Sequence, residues 1–69
     1  MRIYMDNMGW VYVCRLLNAG GWMWHVEQIN RITGQAIASA TLSDEQLQGR
    51  IRYWMQKCGG RELLGRPPK

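Results

Sequence analysis

Between Trp10 and Leu42 the apolar residues are spaced for strands, broken at intervals by residues that favour turns. Trp10 to Leu17 reads Trp-Val-Tyr-Val-Cys-Arg-Leu-Leu, rich in aromatic and β-branched types, and stops at Asn18-Ala19-Gly20-Gly21. Trp22 to Ile29 is the return strand of that hairpin, closed by Asn30-Arg31-Ile32-Thr33-Gly34, and Gln35 to Leu42 is a third, alanine-rich strand. Arg2 to Met5 is a candidate short fourth strand across the Asp6-Asn7 turn.

The period changes at Ser43. Ser43-Asp44-Glu45-Gln46 forms a capping box, with its acids in the first turn, where the helix dipole favours them. Leu47, Ile51, Trp54, Met55 and Cys58 then recur as one apolar stripe at helical spacing, and Gly59-Gly60 supplies the stop. The expected fold is α+β: an antiparallel meander of three or four strands, followed by one C-terminal amphipathic helix packed on one sheet face. Residues 1–60 make a single small domain in this reading, and 61–69, with Pro67-Pro68, a flexible basic tail.

Because strand side chains alternate, even and odd positions divide into two faces. The even face holds Trp10, Tyr12, Cys14, Leu16, Trp22, Trp24, Val26, Ala36, Ala38, Ala40 and Leu42, and it is the face a helix should cover. The small alanines leave room for a large neighbour, for which Trp54 is the candidate. The odd face is mixed: Val11, Val13, Met23 and Ile37 form an apolar patch, ringed by Arg15, His25, Glu27, Ser39 and Thr41. With one helix in the chain, that patch is expected to stay exposed unless the N-terminal segment folds over it.

Sixty-nine residues allow one core and leave no room for a cofactor crevice, and no cofactor is expected. A chain this short buries only about 60% of its unfolded surface, so it gains from a staple or a partner. Cys14 and Cys58, in a chain with no apolar leader and no run of about 20 apolar residues, suggest reduced thiols in a cytoplasmic protein. Nine Lys and Arg against five Asp and Glu give a net charge of +4, which suits nucleic acid or an acidic protein and equally suits a solvated surface.

Position decides among these. Arg50, Tyr53 and Lys57 share the helix side away from the apolar stripe, with Arg61 and Arg66 following, so they form a basic stripe able to track phosphates while Tyr53 stacks a base. Cations near a helix C-terminus have the plainer reading of a solvated face that complements the dipole. Arg15, His25 and Glu27 fall on one sheet face and could serve as clamp, base and acid in RNA cleavage, as in small ribonuclease toxins; a cross-strand salt bridge beside an imidazole fits them as well. Cys14, His25 and Cys58 lack the paired spacing of a zinc site, and Gly20-Gly21 and Gly59-Gly60 read as a hairpin and a helix stop rather than a phosphate loop.

Gly-Gly-Trp-Met-Trp-His-Val from Gly20, then Arg-Ile-Thr-Gly-Gln-Ala-Ile from Arg31, then a capped helix resemble the N-terminal arm-type DNA-binding domain of tyrosine recombinases. The resemblance covers a little over half the chain. It implies three strands and a helix, with DNA read by the open sheet face, although that face carries Arg15, His25 and Glu27 where a DNA-reading sheet presents several Lys and Arg. The leading expectation is instead a non-enzymatic module that occupies a protein surface, as a homodimer, inhibitor or adaptor. Its contact residues are Val11, Val13, Arg15, Met23, His25, Glu27 and Ile37. Proteins of this size are common among phage and mobile-element accessory proteins. The alternatives are a nucleic-acid-binding accessory protein using Arg50, Tyr53, Lys57 and Arg61, and a ribonuclease-like toxin using His25 and Glu27.

Overall fold

The computed structural model describes residues 1–18 and 20–65. Five strands, β1 (Arg2–Met5), β2 (Trp10–Leu16), β3 (Met23–Asn30), β4 (Ala36–Ser43) and β5 (Arg61–Leu64), form one antiparallel sheet in the order β4-β3-β2-β1-β5. The single helix among the described residues, α1 (Asp44–Lys57), runs directly out of β4. The α+β class and the capped helix match the expectation; the strand count and the helix's place in the chain do not. Arg61–Leu64, expected to belong to a flexible tail, pairs with β1 instead, so the helix is followed by a strand. Residues 66–69 of that tail lie outside the described residues.

Turn chemistry sets the register. The Asp6 carboxylate accepts the Met8 and Trp10 amides on Oδ1 (2.9 and 3.0 Å) and the Tyr12 hydroxyl on Oδ2 (2.9 Å), tying the β1–β2 turn to the next strand. Gly9 completes the turn with φ +89°, a conformation that costs an L side chain strain. Asn18 and Asn30 close the next two hairpins by accepting amides two to five residues ahead.

At the start of α1 the capping box is complete: Ser43 Oγ accepts the Gln46 amide (3.2 Å) and Gln46 Oε1 accepts the Ser43 amide (2.9 Å). The Asp44 amide donates to the Trp22 carbonyl at one corner of the sheet. At the other end of α1 the Asn7 amide donates to the Cys58 carbonyl, beside the end of β1. The helix therefore crosses the sheet diagonally. Gly60 turns the chain into β5 by donating to the Trp54 carbonyl at 2.8 Å.

The core lies between α1 and the even-numbered face: Tyr4, Cys14, Trp24, Val26 and Leu42 from the sheet meet Leu47 and Trp54 from the helix. Trp24 is buried, and its indole Nε1 donates to Asp44 Oδ1 (3.2 Å), as a buried indole N–H must find an acceptor. Trp54 does not sit chiefly on the alanines. It stacks on Tyr12, with centroids 4.2 Å apart and planes at 18°, and tilts against Tyr4 at 5.6 Å, because the diagonal path carries the later turns of the helix over β1 and β2. Ala38 stays exposed as a result, and Leu16, Trp22 and Met55 are exposed at the margins of the apolar lists. Ala36, expected on this face, is carried to the opposite one by the register shift in β4 and pairs with Ile29.

Cys14 and Cys58 are free thiols, and burial pushes the Cys14 thiol up to about 11. Among the described residues no helix is long and apolar enough to cross a membrane.

Candidate functional site

The sheet face opposite α1 is covered by no element of the described residues. Register places its side chains in rows. One row runs Leu64, Ile3, Val13, Glu27, Ser39; the next runs Arg61, Met5, Val11, Ile29, Ala36. On the other side of the first row lie Arg15, His25 and Thr41. The face is thus bipartite. Ile3, Met5, Val11, Val13, Ile29 and Leu64 form an apolar patch over β5, β1, β2 and β3, and Arg15, His25, Glu27, Ser39 and Thr41 form a polar margin.

Val11 and Val13 stand where the sequence placed them, at the centre of this patch. Met23 and Ile37 do not join them. Met23 pairs with Ser43 beyond the Arg15–His25 row, and Ile37 is the extra residue of an irregularity between Ala36 and Ala38 at the sheet edge, 56% exposed. Ile3, Met5 and Leu64 take their places. Sequence reasoning missed these three because a four-residue strand is too short to show its alternation; the signal available was the Ile3/Met5 spacing itself.

The polar margin does bring its predicted residues together. Arg15 lies directly across from His25, and His25 Nε2 is 3.6 Å from Glu27 Oε2, an ion pair whenever the imidazole is protonated. Both side chains of that pair are about one third exposed, at 33% and 32%, on an open pleat.

The basic stripe is divided. Arg50, Tyr53 and Lys57 are exposed on α1, with Arg50 and Tyr53 on the rim of a groove of about 690 Å³ between the helix and the uncovered corner of the sheet. Ala38 and Ala40 floor the adjoining part of this corner beside Tyr12, Gln28 and Trp54. Arg61 is elsewhere: on β5, opposite Met5, it shares a depression of about 410 Å³ with Arg31, so its charge borders the apolar patch rather than extending the helical stripe.

Buried polar groups support both surfaces from below. Arg2, nearly buried beside the core, lies 3.9 Å from Glu62 on β5 and 5.6 Å from the Tyr4 ring, so it links β5 to the sheet by charge. Burial, with the nearby Glu62 carboxylate, pushes Tyr4 up to about 12. Burial and then the hydrogen bond to Asp6 raise Tyr12 as well, so both hydroxyls stay protonated, and that of Tyr12 donates to Asp6. Cys14 points into the core and His25 to the open face; among the described residues no three His, Cys, Asp or Glu side chains gather around a point where a metal ion could be held.

Comparison with known protein families, with curated proteins and with solved structures gives no significant match to this chain.

Proposed function

We propose that the protein is a non-enzymatic binding module that seats its open sheet face on the surface of another protein, as an inhibitor or adaptor. One observation carries the reading: six apolar side chains in two neighbouring rows of the sheet, left uncovered by the element that buries the other face. Charge selects the partner. Arg31 and Arg61 stand at one end of the patch and Arg15 at the other, which suits an apolar protein surface bordered by carboxylates.

A photo-crosslinking residue at Val13 tests this in the cell of origin. A discrete protein adduct is expected from Val13 and not from Gln56 on the exposed side of α1. Met5→Glu should abolish the adduct while leaving the thermal melt nearly unchanged. Adducts of equal yield from both positions, or one that survives Met5→Glu in a folded protein, sink the reading.

A second reading rests on Arg50 and Tyr53 at the rim of the helical groove, with Lys57 one to two turns further along: a nucleic-acid-binding accessory protein that uses the helix. Its signature is duplex or single-strand affinity that falls steeply with salt, with the slope reduced by about one for each cation removed. A flat titration at low salt disposes of it.

A further inference from the structure

The two edges of the sheet are not alike. β5 is four residues long, carries Arg61 and Glu62, and slips register opposite Ile3 and Tyr4, all features that discourage another strand from pairing. β4 is eight residues long, about 27 Å at the usual rise, and reads Ala-Ile-Ala-Ser-Ala-Thr-Leu-Ser, with neither charge nor proline. Its one irregularity is confined to Ala36–Ala38, so Ala38–Ser43 stays in regular register with β3 and turns its other edge outward. An edge of this kind leaves a row of backbone N–H and C=O groups unpaired among small side chains.

We propose that two copies of the chain join antiparallel along β4, making one continuous ten-stranded sheet. Antiparallel self-pairing places the two-fold axis perpendicular to the sheet, so one neutral, small-residue edge meets itself. Contact through the outer side of the helix would instead set Arg52 and Lys57 against their own copies, while Arg50 lines the corner beside Ala38 and Ala40. The same axis puts both helices on one side, so the two alanine-floored corners merge into a single trough across the seam. Tyr53, 57% exposed on the rim, is placed to fill it from each side.

A stable dimer buries about 800 Å² per partner, roughly one sixth of the 4846 Å² surface of the described chain. A seam of that size has to extend beyond the edge strand into the trough. The proposal is independent of the open-face reading, because the Val11–Val13 patch stays free in such a pair.

Sedimentation equilibrium over a concentration series tests it. The parent chain should tend to twice its 8.1 kDa. Ala38→Lys and Thr41→Lys, at exposed positions on opposite faces of the same edge, should each weaken the dimer at least tenfold, whereas Val13→Glu should leave it intact. In the parent, amide exchange along Ala38–Ser43 should slow as concentration rises, which reads the same seam without any substitution. A parent that stays monomeric throughout overturns the proposal. So does a dimer lost to Val13→Glu but kept by both lysine variants, since that dimer would use the open face. Concentration-independent exchange in β4 overturns it as well.

Discussion

Trp54 ties the helix to the sheet. It is 3% exposed, stacks on Tyr12 and tilts against Tyr4, so one residue joins the helix to two strands. Tyr12 in turn donates to Asp6, and the stack is thereby fastened to the first turn. Trp54→Ala should cost about 3 to 5 kcal/mol, of the order of the whole stability of so small a domain. Trp24→Ala belongs in the same class, since it also orphans the Asp44 contact. Trp22, equally large but 57% exposed, should change stability by no more than about 0.5 kcal/mol on truncation. Urea denaturation of the three variants separates them, and a Trp54→Ala protein as stable as that carrying Trp22→Ala contradicts the assignment of the core.

Among the elements, β5 depends on a glycine whose need is purely spatial. A Cβ at Gly60 would stand 2.8 Å from the Trp54 carbonyl oxygen and 3.0 Å from that of Met5, both main-chain atoms that cannot swing aside. Gly60→Ala should therefore loosen the β1–β5 pairing, at a cost of about 1 to 3 kcal/mol. Amide exchange should speed up in Arg61–Leu64 ahead of β2 and β3; uniform acceleration would argue against a local role. The meander and the helix were legible because each repeats its period over seven or more residues, reinforced by Asn-rich turns and a capping box. β5 was not, because four residues between Gly60 and Gly65 show no period and their partner, β1, is more than fifty positions away. The same shortness hid Ile3, Met5 and Leu64 from the predicted patch. The misplacement of Trp54 has a different origin: alternation tells which face a strand side chain takes, but not the angle at which a helix crosses that face.

At the scale of the whole molecule, stability should depend on pH at the alkaline end. Cys14 rises from an ordinary 9.0 to about 11 and Tyr4 from 10.0 to about 12, each mainly through burial. The folded chain thus keeps protons that the unfolded chain releases. This contribution is complete below the ordinary thiol value of 9.0 and is lost as pH climbs through the folded values of about 11 and about 12. Melting temperature should fall steadily across that window, less steeply for Tyr4→Phe than for the parent. A flat alkaline profile would mean that these groups reach solvent in the native state.

The diagonal course of α1 has a consequence for how such a protein can change over time. The side chains of β2 and β3 that bury the core sit at even positions, while the open face is built from the odd positions of the same strands. Neighbouring codons therefore answer to separate demands. Substitutions at Val11, Val13 or Glu27 can remodel the open face without disturbing Tyr12, Cys14 or Val26, so the surface of one small scaffold can vary while its interior stays unaltered.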